Sequence, residues 1–141
     1  MSDTSERRLQ RILNREGFYT IRSPGSGTGL KHPDPTVDRH LDHPDVVAIR
    51  GNSMSDVLVI EDKHTADYPV YVDEAQYDGL RHVADITGAY PVFAVQVKQT
   101  RYPHTFHPLP IDDQTPSGTY VLRQSTPTIS LHTLTDRTKR P

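Results

Sequence analysis

The chain has 141 residues, 33% of them hydrophobic, with 12 prolines and a mean hydropathy of −0.66, which implies one domain with a modest core and a good deal of loop. It has no cysteine, so disulfide frameworks and thiolate metal sites are excluded and any metal must be held by carboxylates or histidines. Net charge is −2, no apolar run approaches the roughly 18 residues of a membrane span, and the first residues lack the apolar stretch of a signal peptide; the expectation is a soluble, cytoplasmic protein with no membrane partner.

Residues 5–16 place Leu9, Ile12 and Leu13 on one stripe, with Asp3 or Ser5 as N-cap and Gly17 as stop, the pattern of an amphipathic helix. Glu6 projects within about 20° of Leu13, at the N-terminal end of the core-facing stripe. It also stands three residues after Asp3, where it would complete a capping box. Arg7, Arg8, Arg11, Arg15 and Arg22 give this end a local positive excess. Arg makes up 12 of 16 basic residues and Asp 14 of 18 acids, a skew that suits a GC-rich genome and a salty cytoplasm.

Residues 18–23, rich in aromatic and β-branched side chains, read as a strand. Residues 24–43 have no apolar period and read as a long loop carrying a Gly/Ser run, Lys31, His32, Arg39, His40 and His43. The glycines could bring amides near a phosphate, but no GK[ST] follows. His32, His40 and His43 are spaced too loosely to favour zinc.

The most informative segment follows. If residues 45–50 and 56–63 are strands joined by Gly51-Asn52-Ser53-Met54-Ser55, the hairpin is centred on Ser53 and Asp45 lies directly opposite Glu61. Opposed side chains share a face with Cβ atoms roughly 5 Å apart, which is unfavourable for two carboxylates unless a cation sits between them. Alternation puts Lys63 on the face of Glu61 and turns Asp62 away. Two oxygen ligands and an ammonium suit a Mg²⁺-dependent phosphodiester hydrolase. The bland alternative is a solvated hairpin with an i, i+2 ion pair, against which stands the apolar run Val57-Leu58-Val59-Ile60.

Beyond it, residues 70–72 form a short strand and Asp73 caps a helix over 74–87 that Gly88 ends. Gln76 is either an ordinary helix polar residue or one that reaches toward a strand end. Residues 91–97 read as a buried strand, 102–107 and 118–123 as later edge strands. Residues 124–141, with scattered Ile129, Leu131 and Leu134, read as a mobile tail after a nuclease domain at 1–123. The order gives an α/β domain, a central mixed sheet flanked by helices.

In order along the chain, Ser5-Glu6-Arg7-Arg8-Leu9, Gly17-Phe18, Ile21-Arg22-Ser23-Pro24-Gly25-Ser26-Gly27, Pro44-Asp45-Val46-Val47-Ala48, Val59-Ile60-Glu61-Asp62-Lys63 and Gly88-Ala89-Tyr90-Pro91-Val92-Phe93-Ala94-Val95 resemble the archaeal Holliday junction resolvases (Hjc) within the PD-(D/E)xK nucleases. The resemblance implies a restriction-endonuclease-like fold and a homodimeric, Mg²⁺-dependent endonuclease, with Mn²⁺ able to substitute and no organic cofactor. Its substrate would be four-way junction DNA, nicked symmetrically in opposed strands. By position it implies Glu6, Asp45 and Glu61 as metal ligands and Lys63 as catalytic lysine. Arg22 and Ser26 would lie near the scissile phosphate, with Arg7, Lys31 and Arg39 as further DNA contacts. Two rivals are another PD-(D/E)xK endonuclease of restriction or repair type and a non-catalytic DNA-binding architectural protein.

The chain departs from the resemblance in two places. The residue between Glu61 and Lys63, commonly small or apolar, is Asp62, which must lie at a strand end, be paired or be exposed, because an unpaired buried carboxylate is costly. The loop also contains a second His-Pro-Asp, His32-Pro33-Asp34, but only Asp45 is followed by a strand and satisfies the register with Glu61.

Overall fold

Thr4 starts the chain's first helix: its hydroxyl accepts the Arg7 amide at 3.1 Å, so the N-cap is neither Asp3 nor Ser5 as expected. The computed structural model describes residues 4–23, 30–38, 40–51, 56–98, 103–110 and 118–141. Helix α1 is Ser5–Arg15, followed by β1 (Tyr19–Arg22), β2 (Leu30–Lys31), β3 (His40–Leu41), β4 (Val46–Arg50), β5 (Asp56–Thr65) and β6 (Val70–Val72). Then come α2 (Glu74–Thr87), β7 (Tyr90–Val97), β8 (Thr105–Pro108), β9 (Tyr120–Leu122), α3 (Leu131–Leu134) and a 3-10 turn at Arg137–Lys139.

Five strands form the main sheet in the order β1-β4-β5-β7-β8. All pairs are antiparallel except β5 with β7, and α2 is the crossover that such a parallel pair requires. This is the expected α/β architecture, a mixed sheet with a helix on either face. Side-chain alternation along β5 divides the core. Leu58 and Ile60 pack with Leu9, Leu13, Val92 and Ala94 on the α1 face, whereas Val59 packs with Leu80, Phe93 and Val95 on the α2 face. Gly88, at φ +73, ends α2 in the left-handed conformation with its amide on Ala84 O, and returns the chain to β7.

Three expectations need correction. The loop at 24–43 is not without structure, since Leu30 and Lys31 pair with Leu41 and His40 in a small antiparallel ladder. Strand β9 is not an edge of the main sheet; it pairs with β6 in a ladder of its own.

The third correction concerns residues 124–141, expected as a tail, which pack on the α1 face of the sheet. Ile129 bridges Phe106, Leu134 is fully buried, and Arg140 makes a two-pronged ion pair with Asp56 at 2.6 and 2.8 Å. Few apolar residues suffice for this docking, because Ile129 and Leu134 join the α1-face core and the buried Asp56 draws in the guanidinium.

Candidate active site

Pairing of Val46 with Ile60 through Arg50 with Asp56 carries the β4–β5 register, and one residue further it sets Asp45 against Glu61. Asp45 stands just before β4, where its Oδ2 accepts the Asp62 main-chain amide at 2.8 Å. Glu61, only 3% exposed, shares a side-chain hydrogen bond with Asp45. Burial pushes the Asp45 carboxyl up to about 6, opposed by the Asp62 amide and assisted by the nearby charge of Glu6. Glu61 is held well above the usual carboxylate range, first by burial and then by Asp45, with Lys63 acting against both. Two hydrogen-bonded carboxyl groups in this state hold a proton more firmly than free ones do, and a positive charge beside them favours their ionised form.

Lys63 lies on the same face, where its Nζ donates to Gln76 Oε1 at 2.7 Å. Gln76, in the first turn of α2, is therefore the residue that reaches to the strand end. Glu6 approaches from the α1 side. Its Oε2 accepts from Arg22 Nε at 3.1 Å and lies 2.9 Å from Nη2, so the structure pairs it with arginine rather than with Asp45 and Glu61. Among the described residues no three His, Asp or Glu side chains come together as a ready-made metal cluster. The donor set is two hard carboxylates with a third nearby, which fits a cation that completes its shell with water and substrate oxygen, as Mg²⁺ does.

Of the other expected site residues, Arg7 is exposed on α1 and Lys31 is exposed on β2 opposite His40. Ser26 and Arg39 lie outside the described residues. Arg8, counted in the N-terminal positive excess, is buried and donates Nε to Gln96 Oε1 at 2.8 Å, so it belongs to the core. In the second His-Pro-Asp, Asp34 folds onto its own turn, accepting from the Thr36 amide and hydroxyl.

Two residues of the site escaped the sequence reading. Asp42 lies close enough that its charge raises the Glu61 carboxyl. Burial, followed by Asp73, raises its own, against Lys63 and His43. Its signal was an acid three residues before Asp45 in Asp42-His43-Pro44-Asp45. His104 is the other: its Nε2 lies 3.2 Å from Asp62 Oδ1, and both side chains are almost wholly buried. Asp62 is thus neither at a strand end nor exposed but partnered by the residue that precedes β8.

The family model for archaeal Holliday junction resolvase (Hjc) matches residues 2–141. The chain belongs to that family. A solved structure, that of Archaeoglobus fulgidus Hjc, a Holliday junction resolvase from an archaeal hyperthermophile, is similar at 28% identity and a TM-score of 0.62 over 86% of this chain and 87% of that one. No curated protein sequence matches. As an Hjc family member the chain is a structure-selective, junction-resolving nuclease.

Proposed function

We propose that this Hjc protein cuts DNA at a centre made by Asp45, Glu61 and Lys63, with Mg²⁺, or Mn²⁺ in its place, held by the two carboxylates. The observation that carries this reading is a hydrogen-bonded pair of buried carboxyl groups, Asp45 just before β4 and Glu61 within β5, with an ammonium on the same sheet face. A divalent cation bound there supplies charge neutralisation at the scissile phosphate and a lowered pKa for a bound water. Asp45 and Glu61 would hold the cation as carboxylates, so its binding would favour loss of any proton on the pair. Lys63, steadied by Gln76, orients the attacking water and offsets the charge that develops on the phosphate. Glu6 would complete the cation's ligand set, and Arg22, which already meets the Glu6 carboxylate, would then be free to neutralise the phosphate.

Arg7, Lys31, Arg39 and Ser26 serve the DNA backbone in this reading, so affinity falls steeply with salt. Two such centres in a homodimer make the paired symmetric nicks of a four-way junction, in the cytoplasm of an archaeal cell or of a virus's host. Among the described residues no helix is long and apolar enough to cross a membrane.

A labelled four-way junction incubated with and without Mg²⁺ tests the assignment. The wild type is expected to cut only with the cation. Glu61→Ala is expected to bind the junction without cutting it, and full cleavage by that variant overturns the metal assignment.

A further inference from the structure

The α1 face of the sheet carries a buried polar chain next to the acids but outside the set just described. Asp62 serves both faces of β5. Its main-chain amide holds Asp45 Oδ2 at 2.8 Å, while its carboxylate, with the side chain 4% exposed, turns to the α1 face. There Oδ1 lies 3.2 Å from His104 Nε2, off the line of a hydrogen bond, and the same Nε2 is 3.0 Å from Ser5 Oγ. Ser5 is the first residue of α1, and the next is Glu6. Three residues thus connect the Asp45 carboxylate to the backbone that carries Glu6.

The connection is directional, as are the ties of Gln10 and Asn14 further along α1 to the Thr20 hydroxyl of β1. Leu9 and Leu13 add burial, which fixes area but neither rotation nor slide. Ser5 on His104 and Arg8 on Gln96 are polar ties from the first turn of α1 to the sheet and its β8 extension, and hydrogen bonds constrain both. The imidazole is itself held by stacking on Phe106, with ring centres 6.4 Å apart. Its Nδ1 is buried without a hydrogen-bond partner among the described residues, so the ring is present for what Nε2 does.

We propose that His104 is a positioning residue: bridging Asp62 and Ser5, it sets the Glu6–Arg22 pair against Asp45 and Glu61. The inference rests on the function proposed above. Its counterpart is a merely structural role, in which His104 only compensates the buried Asp62 carboxylate.

Three variants separate the two: His104→Ala, His104→Gln, and the double change Asp62→Val with His104→Phe, which removes both polar partners and restores apolar packing. Single-turnover cleavage of saturating junction, junction affinity with metal withheld, thermal unfolding, and amide hydrogen exchange of the metal-free protein are measured on each. His104→Ala is expected to keep its junction affinity, to cut more slowly by about tenfold or more, and to lose exchange protection in the first turns of α1. His104→Gln, which can still donate to Asp62 and Ser5, is expected to recover most of the rate. The double variant is expected to recover thermal stability while remaining slow. Wild-type cleavage by folded His104→Ala, or a double variant that recovers the rate together with the stability, overturns the proposal. Should the wild type itself fail to cut, the function reading falls separately, and hydrogen exchange still decides: unchanged protection of α1 in the variants overturns the positioning role. If His104→Ala does not fold, the glutamine and double variants carry the test.

Discussion

Lys63 Nζ and Gln76 Oε1 are 2.7 Å apart, and the same oxygen accepts the Asp73 amide at 3.1 Å. One side chain therefore closes the N-terminus of α2 and restrains the candidate catalytic lysine. Gln76→Leu is expected to cost about 1 kcal/mol through the lost cap. It should also lower the cleavage rate more than junction affinity, because Lys63 becomes free to sample other rotamers. Denaturant unfolding and single-turnover kinetics on one sample check both. A variant destabilised but undiminished in rate would show that Lys63 needs no such restraint.

The upward shifts of Asp45 and Glu61 set the sign of the pH response. Both groups have folded pKa values raised above their unfolded ones, Asp45 from 3.8 to about 6. Their stabilising contribution is complete below the unfolded values, near pH 4, and is lost as pH rises through the folded ones. For Asp45 that amounts to no more than about 2 to 3 kcal/mol, since the group is partly solvated. His107, whose pKa burial lowers, pulls the opposite way near pH 6, so the comparison is made against Asp45→Asn. Between pH 5 and pH 8 the metal-free wild type is expected to lose thermal stability relative to that variant, and Mg²⁺ should restore it most at the alkaline end. Parallel curves for the two proteins would mean that the acids are not buried as a pair.

Gly79 lies where α2 meets the residue after β3. A Cβ built there falls 1.9 Å from the Asp42 carbonyl oxygen and 2.9 Å from its carbon, backbone atoms that no side-chain rotation can move aside. The Asp42 amide in turn donates to Ala75 O at 3.1 Å, so strand end and helix are clasped at this point. Gly79→Ala is expected to destabilise by about 2 kcal/mol or more despite alanine's better helix propensity. It should also displace Asp42 from the acids, which a weaker Mg²⁺ dependence of cleavage would register. Urea unfolding no different from wild type rules out the close approach.

Arg140 grips Asp56 with two nitrogens, and Arg50 adds a third contact at 3.1 Å. Arg140→Ala leaves the buried Asp56 carboxylate to Arg50 and is expected to cost about 3 kcal/mol. Deleting 124–141 also uncovers Phe106 and the α1 face of the sheet, and should leave a chain without a cooperative thermal transition. A truncated protein that melts as sharply as the whole would restore the reading of these residues as a tail.

These residues show what was legible in advance and what was not. The opposition of Asp45 and Glu61 followed from the centre of a short hairpin, because register in a local antiparallel pair depends only on loop length and strand ends. The cost of a carboxylate at Asp62 was equally legible. Its partner was not, since His104 is 42 positions away and reaches it only through the pairing of β5 with β7 and β7 with β8, neither of which is fixed locally. Ile129 and Leu134 were hidden by dilution: each is buried singly, with no periodic stripe to announce a helix. The ladder of Leu30 and Lys31 with Leu41 and His40 is too short for alternation to register.

The amide that Asp62 offers to Asp45 belongs to the main chain, and every amino acid but proline supplies the same donor. The grip on Asp45 is therefore indifferent to what stands between the glutamate and the lysine. An apolar side chain at position 62, with a matching change at 104, would leave the hold on Asp45 intact and remove only the tie to Ser5. Only proline at position 62 would release it, and it would do so with Glu61 and Lys63 both unaltered.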